Sequence, residues 1–154
     1  MQPSQTCASM IKKFEGCEKK GPGGTFSAYP DPASGGDPWT IGYGTTGADV
    51  KKGLVWTQKQ CDDRFAKDLP NFGAKVAALL GTSKTTQNQY DAMVSFAYNL
   101  GVNALRDSTL LKKHKAGDYA NVPAEFNKWV HGGGKVMPGL VTRRAAEAKL
   151  YATP

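Results

Sequence analysis

The sequence is poor in cysteine and histidine, which restricts the chemistry it can carry. Its three cysteines, Cys7, Cys17 and Cys61, form an odd number and include no Cys-x-x-Cys pair. They provide neither the framework of a disulfide-stapled domain nor a cysteine zinc site. We expect free thiols, as in a reducing cytosol, and one pair could still oxidise outside the cell. The two histidines, His114 and His131, lack a second histidine three or four residues away, so we predict no metal site and no cofactor.

The sequence also lacks long apolar runs and the common ligand-binding fingerprints. No apolar run approaches the roughly 20 residues that a membrane-spanning helix needs, and the N-terminus shows no secretory signal. There is no Gly-x-Ser-x-Gly, no P-loop and no Rossmann glycine motif. The lysine and arginine clusters match no nucleic-acid-binding motif. We therefore expect a folded chain made in the cytoplasm, with no nucleic-acid partner and no stable membrane insertion.

The net charge of +7 is distributed unevenly along the chain. Residues 1–77 hold ten Lys and Arg against eight Asp and Glu, whereas residues 78–154 hold ten against five. A basic half attracts polyanions, such as nucleic acid, an acidic membrane surface or an anionic cell wall. Charge alone does not choose between these partners.

The composition changes once, which predicts segregated α and β parts. Apolar residues at helical spacing predict a first helix over residues 4–15. Gly, Pro and Thr concentrate in residues 21–56. Capping boxes at Thr57 and Thr86 begin a helical region, in which we expect Pro70 and Gly73 to kink or end the second helix. The helix after Thr86 is apolar on nearly all sides, which predicts central burial.

The β part consists of short pieces rather than long strands. Strand-like stretches occur at residues 25–29, 39–44 and 54–56, and they predict a small irregular sheet. We therefore predict one α+β domain over the whole chain, with a functional cleft between its two lobes. The predicted parts are a β lobe at roughly residues 24–56, a helical body at roughly 57–154 and the N-terminal helix at 4–15.

Glu15 is the first candidate for chemistry. It stands at the C-terminal end of the predicted first helix, where the helix dipole disfavours a negative charge. It also flanks the apolar face that carries Ile11 and Phe14, and desolvation adds to the cost of ionisation. A carboxylic acid that stays protonated near neutral pH is what a general acid needs. An ordinary surface glutamate is the alternative, and position alone favours that alternative.

Two further acids lie in the loop YPDPASGGDPWTIGYG. Asp31 stands between Pro30 and Pro32, whose rings fix φ and stiffen the loop. Asp37 also precedes a proline, and both acids are compatible with ordinary turns. The hydroxyl of Thr40 can hold a water against a carboxylate. Two carboxylates on opposite sides of a cleft form the machinery of glycoside hydrolysis, so these residues favour that chemistry.

The sequence resembles the phage-type lysozymes, or endolysins, of glycoside hydrolase family 24. Six blocks carry the resemblance in the order in which the family has them, and together they cover nearly the whole chain. The blocks are KFEG at 13–16, AYPD at 28–31, WTIGYG at 39–44, TQNQYDAMVSFAYNLG at 86–101, TLLKKHKAGDY at 109–119 and FNKWVHGGGKVMPGLVTRRAAEAKLY at 126–151. The resemblance implies a two-lobed lysozyme-like fold. It also implies hydrolysis of the β-1,4 bond between N-acetylmuramic acid and N-acetylglucosamine in peptidoglycan, for bacterial lysis at phage release.

The resemblance assigns roles to individual residues. It implies that Glu15 protonates the leaving oxygen. Asp31 and Thr40 then position a water, or Asp31 meets the developing positive charge directly. Arg143 resembles the family's basic partner of the catalytic glutamate, and Arg144 is the alternative. The remaining residues that it marks as substrate-binding or supporting are Tyr43, Gly42 and Asn99, with Gly42 leaving room for a sugar chain.

Three features depart from the family pattern. The interval between the Glu and the Asp is longer, with KKGPGG as the insertion. The loop between Asp31 and Thr40 is also longer and contains Asp37, which stays open as the active carboxylate. Thr45 stands where members commonly have histidine, which removes a structural ion-pair partner.

The resemblance also implies where the protein acts. We expect a monomer that binds peptidoglycan glycan strands and stays in the host cytoplasm until a holin-type pore opens. It then acts in the periplasm or cell wall, because the sequence shows no N-terminal signal-anchor helix like that of the exported subgroup. Two alternatives remain open. One is a catalytically inactive wall-binding or structural module, and the other is a lytic transglycosylase that produces anhydro-sugar ends.

Overall fold

The computed structural model of the chain describes residues 1–16, 22–31 and 34–154. The predictions for Cys17, Pro32 and residues 19–21 of the KKGPGG insertion lie outside the described residues. No helix in the described part of the chain is both long enough and apolar enough to span a membrane. The chain divides into two compact units: Met1–Met10 with Pro70–Pro154, and Ile11–Leu69.

The helices and strands follow in a fixed order. Short 3-10 turns occur at Pro22–Gly24 and Tyr119–Asn121. The strands are β1 (Phe26–Ser27), β2 (Val55–Trp56), β3 (His131–Gly132) and β4 (Lys135–Val136). The helices are α1 (Gln5–Glu15), α2 (Gln58–Leu80), α3 (Gln87–Leu100), α4 (Val102–Asp107), α5 (Thr109–Lys115), α6 (Val122–Phe126) and α7 (Pro138–Ala152).

The unit Ile11–Leu69 contains the small sheet. β1 pairs antiparallel with β2, which places Phe26 opposite Trp56. Tyr29 then bridges to Thr40, and Ile41 bridges to Thr45. The inward side chains form one apolar cluster with three residues from outside the strands. Its buried members are Phe26, Ile41, Val50, Trp56 and Cys61.

The predicted strand at residues 39–44 is shorter than expected. Thr40 and Ile41 pair with neighbouring backbone, but the chain turns at residues 42–44. Gly42 and Gly44 cause the difference, because their φ angles of 64° and 77° lie in the left-handed region that interrupts a strand. The stretches at 25–29 and 54–56 are confirmed as the locations of β1 and β2.

The unit of Met1–Met10 and Pro70–Pro154 is built around α3. Every residue from Tyr90 to Ala97 is buried, which confirms the predicted central helix. Its capping box is present: the Thr86 side chain accepts from the backbone of Gln89, whose own side chain accepts from the Thr86 backbone. α7 packs against α3 and α6. At the chain start, both Ser4 N–H and the Ser4 hydroxyl donate to Asp91, which fixes the residue before α1.

The sequence predicts that Pro70 and Gly73 kink or end the second helix. The predicted end is wrong, because α2 runs on to Leu80 with Pro70 inside it, and the kink stays a prediction. Gly73 has a different role. A Cβ at this position would lie 2.6 Å from the Tyr90 hydroxyl and 2.7 Å from Pro3. These separations are shorter than a van der Waals contact, so the missing side chain permits close packing rather than ending the helix.

Candidate active site

Glu15 is the last residue of α1, as the sequence predicts. Gly16 closes the helix: its N–H donates to Lys12 O at 2.9 Å, and its φ of 59° turns the chain out of the helix. Lys12 and Lys13 lie in the last turn and favour its negative end. Glu15 itself is half-buried. A helix end therefore fixes its backbone at a defined point of the unit Ile11–Leu69.

The backbone of its own loop holds Asp31 in place. Asp31 N–H donates to Gly36 O at 2.9 Å, and Asp31 O accepts from Gly35 N–H at 2.8 Å. The carboxylate oxygen Oδ2 accepts from Ser34 N–H at 3.0 Å. This local turn orients a half-buried carboxylate. The sequence predicts that the flanking prolines restrict this acid, and the turn to Ser34, Gly35 and Gly36 adds a further constraint.

Strand pairing fixes the backbone of Thr40. Thr40 and Tyr29 exchange two backbone hydrogen bonds, each of 2.9 Å. Tyr29 lies two residues before Asp31, and Thr40 is half-buried. The pair therefore links Thr40 to the start of the loop that carries Asp31.

Gly42 and Tyr43 hold the turn that follows Thr40. Gly42 is buried, and a Cβ there would lie 3.2 Å from Cys61 Sγ, so the turn packs directly on α2. The structure thus gives Gly42 a packing role, and the space for a sugar chain stays a prediction. The Tyr43 ring meets Phe65 edge-on at 5.5 Å, and Lys12 Nζ lies 5.1 Å from its centroid. Both residues support the turn that carries Thr40.

Arg64 anchors the loop beside the sheet. Its guanidinium binds both carboxylate oxygens of Asp49, at 2.6 and 3.2 Å, and its Nε binds Asp68 at 3.1 Å. Hydrogen bonding to Arg64 lowers the pKa of Asp49.

Thr45, at the position where the resemblance leads one to expect histidine, is buried, and its hydroxyl has no hydrogen-bond partner among the described residues. The local ion pairing here is therefore supplied by Arg64.

Arg143, Arg144 and Asn99 lie in the other unit and share one buried network. Arg144 Nε lies 2.9 Å from Glu147 Oε1, and Arg143 Nε lies 3.3 Å from Glu147 Oε2. The Ser95 hydroxyl donates to Glu147 Oε2 at 2.5 Å, and Arg144 Nη2 donates to Asn99 Oδ1 at 2.6 Å. Burial raises the pKa of Glu147, and the guanidiniums of Arg144 and Arg143 act in the opposite direction.

Sequence reasoning missed Glu147 and Ser95 as members of this network. Glu147 follows Arg143 by four residues and Arg144 by three, and this spacing on a helix indicates paired side chains. That signal was available in the sequence. The contribution of Ser95 was not, because it comes from α3, far away along the chain.

His114 is buried and hydrogen-bonded at both ring nitrogens. Thr85 Oγ1 donates to Ser83 O at 3.0 Å, so it accepts from His114 Nε2 at 2.8 Å. His114 Nδ1 then accepts from the Tyr151 hydroxyl at 2.6 Å. Burial lowers the pKa of His114, which keeps the ring neutral.

In the described part of the chain, no group of three or more His, Cys, Asp or Glu could hold a metal ion.

Comparisons with known proteins agree with this architecture. The family model described as phage lysozyme matches residues 12–147. The chain belongs to the phage lysozyme family. An endolysin of Bacillus phage PZA is 44% identical over 98% of this chain, but the chain spans only 55% of that protein. An endolysin of Acyrthosiphon pisum secondary endosymbiont phage 1 is 40% identical, with 98% of each chain covered.

Solved structures confirm the predicted lysozyme-like α+β fold. An endolysin from Escherichia coli O157:H7 phage FAHEc1 matches with a TM-score of 0.80 and 37% identity, over 99% of this chain and 94% of that one. The muramidase domain of SpmX from Asticaccaulis excentricus matches with a TM-score of 0.83 and 30% identity, over 99% of both chains.

Proposed function

We propose that the protein is an endolysin-type muramidase that hydrolyses the β-1,4 bond between N-acetylmuramic acid and N-acetylglucosamine of peptidoglycan. Membership of the phage lysozyme family supports this activity. The observation that supports it is found in the unit Ile11–Leu69: Glu15 ends a helix, a local turn holds Asp31, and a strand pair holds Thr40. An acid and a carboxylate with a water-holding hydroxyl are the groups that glycoside hydrolysis needs.

In the proposed mechanism, Glu15 is the general acid. It gives its proton to the glycosidic oxygen as the bond to the sugar carbon breaks, which spares the leaving group a negative charge. The ring that loses the leaving group becomes positively charged in the transition state and requires a negative group nearby.

Asp31 and Thr40 complete the reaction in this proposal. Ser34 N–H binds Oδ2 of Asp31, so we assign Oδ1 to the incoming water or to the charged sugar ring. The Thr40 hydroxyl oxygen accepts a hydrogen bond from the water, while the Asp31 carboxylate accepts the water's other proton. Asp31 interacting directly with the positive ring is the second form of the same mechanism. Both forms require Asp31 to be ionised.

The remaining predicted residues have supporting roles. Gly42 and Tyr43 pack the turn after Thr40 against α2, so we propose that they position Thr40. Arg143 and Asn99 belong to the buried network around Glu147, with Arg144 binding Asn99 directly. We propose that this network keeps the arginines in fixed orientations for the reaction.

We propose that the protein acts as a monomer on peptidoglycan glycan strands and remains in the host cytoplasm until a holin-type pore releases it to the wall. The excess of basic residues in the second half supports attraction to an anionic wall. SAR-endolysins are among the relatives, including one from Enterobacteria phage PA-2 that is 32% identical over 114 residues. That likeness supports a place in the same lysis process.

Mass spectrometry of digested peptidoglycan tests the proposed reaction. The purified chain should release fragments with reducing N-acetylmuramic acid ends, since water attacks the broken bond. Fragments with anhydro-sugar ends would instead establish a lytic transglycosylase. Intact glycan strands after prolonged digestion would establish a wall-binding module without activity. Glu15→Gln serves as the matched variant, and it should yield the same intact strands if the assignment of the acid is right.

A further inference from the structure

Asp37, the second acid of the long loop, lines a depression within the unit Ile11–Leu69. The depression has a volume of about 450 Å³, which lies in the range of ligand pockets. Its lining combines a carboxylate, an amine and an indole, from Asp37, Lys51 and Trp39. Neither Asp31 nor Thr40 is among the described lining residues. The depression is therefore distinct from the proposed catalytic groups of the same unit.

The structure fixes the indole in this depression. Trp39 is half-buried and packs against the apolar cluster that contains Ile41 and Val50. It immediately precedes Thr40, whose backbone is paired with Tyr29. Part of the lining is thus formed by a tryptophan that packs on the apolar cluster of this unit. A fixed aromatic surface binds at low entropic cost.

A second part of the lining comes from a segment that an ion pair anchors. Residues 46–51 carry Lys51 and follow the bridge between Ile41 and Thr45. Arg64 binds both oxygens of Asp49 in the middle of this segment, and Val50 N–H donates to Gly47 O at 3.0 Å. Bidentate pairing of arginine with a carboxylate fixes geometry as well as adding energy. Both Trp39 and Lys51 therefore belong to anchored segments.

The lining matches the chemistry of an amino sugar. The flat apolar face of an indole packs against the C–H side of a pyranose ring. This contact buries a large area, and the indole loses little side-chain entropy when it forms. The Asp37 carboxylate accepts from sugar hydroxyls or an acetamide N–H, and Lys51 donates to hydroxyl or carbonyl oxygens. A wall with both charges favours a neutral polar ligand, because the carboxylate repels a polyanion.

We propose that this depression binds one N-acetylated amino-sugar residue of a glycan strand, away from the bond that is cleaved, with Asp37 as a binding residue. The choice of ligand class rests on the proposed function. The proposal also gives Asp37 a role that differs from that of a second catalytic base. Asp31 then acts in the reaction, and Asp37 acts in binding.

Titration with the tetramer of N-acetylglucosamine tests this site directly. NMR of the indole N–H groups reports binding without turnover, and the Trp39 signal is assigned by its loss in Trp39→Phe. We expect the tetramer to shift the Trp39 signal and Asp37→Asn to raise Kd by about tenfold, as expected of a charge-assisted hydrogen bond. Two matched controls should leave Kd unchanged. Asp63→Asn on α2 is the control for Asp37→Asn, and Lys52→Ala is the control for the lining variant Lys51→Ala.

Kinetics on peptidoglycan separate binding from catalysis. Asp37→Asn should raise KM and leave kcat near the wild-type value, because it removes binding that is equal in the ground and transition states. A loss of kcat at constant KM would make Asp37 catalytic and overturn the proposal, as would an unchanged Kd for Asp37→Asn. A protein that binds the tetramer at Trp39 and hydrolyses nothing would refute the proposed function and leave this site standing.

Discussion

Tyr29 and Thr40 exchange both backbone hydrogen bonds of an antiparallel pair, each 2.9 Å long. This single pair closes the long loop that contains Asp31 and Asp37. It sets the register between the two arms, and a shift of one residue would move Thr40 to the opposite face. The face of the strand on which the Thr40 side chain lies therefore depends on this pair.

The Thr40 hydroxyl can be removed without changing the shape of the side chain. Thr40→Val keeps the β-branched form that suits a strand. We expect kcat to fall about 100-fold, because the proposed water loses a hydrogen-bond partner. Thr40→Ser, which restores a hydroxyl, should recover most of the rate. Hydrolysis rates on purified cell wall check both variants, and equal rates for Thr40→Val and the wild type would exclude a role for the hydroxyl.

Gly42 should be sensitive to substitution for two reasons. Gly42→Ala forces alanine to φ 64°, and it places a Cβ 3.2 Å from Cys61 Sγ. The first effect costs about 1–2 kcal/mol and the second adds about 1–3 kcal/mol of overpacking. Gly81→Ala is the matched control, with φ 56° and nothing within 4 Å of the added Cβ. Urea unfolding should therefore show a larger loss for Gly42→Ala, and equal losses would contradict the packing argument.

Glu147 should contribute more to stability than another acid of similar burial. Glu147→Gln removes the anionic partner that the buried guanidiniums of Arg143 and Arg144 share in this network, which costs about 3–5 kcal/mol. Glu125→Gln is the control, because the Glu125 side chain is only 6% exposed but pairs with the partly exposed Lys113 and Lys128. Glu125→Gln should lower the free energy of unfolding by about 1 kcal/mol. Unfolding at neutral pH checks the difference, and comparable losses would refute an ionic role for Glu147.

His114 should make the folded state sensitive to acid. Burial lowers the pKa of His114 below its ordinary value of 6.5, whereas the unfolded chain takes up a proton at about that value. The contribution of the neutral His114 ring to the free energy of unfolding is complete above pH 6.5. It is lost as the pH falls toward the lowered pKa, with a slope of up to about 1.4 kcal/mol per pH unit. Urea unfolding between pH 8 and 5 measures this slope. His114→Gln should flatten it, whereas the exposed His131→Gln should not.

Local sequence patterns predicted those parts of the molecule that depend on near neighbours. The capping box at Thr86 and the end of α1 at Glu15 both form as expected, since each depends on residues within four positions. The central burial of α3 follows from its apolar residues on all sides.

Features that depend on distant contacts were not predictable. Gly73 reads as a helix breaker, but its role comes from Pro3 and Tyr90, which only the folded chain brings close. The depression beside Asp37 was not predictable for the same reason. Its lining residue Lys51, and the Arg64 side chain that pairs with Asp49, come from segments other than the loop of Asp37. A spacing rule on one helix cannot reveal such contacts.

The central claim is that Glu15 supplies the proton for glycosidic cleavage. Clearance of a cell-wall suspension by Glu15→Gln, with the thermal unfolding of the same sample as a check on folding, tests it most directly. The amide keeps the size of the side chain and removes the proton, so we expect the rate to fall by at least about 100-fold with the melting temperature little changed. Clearance at the wild-type rate by a fully folded Glu15→Gln would contradict the assignment.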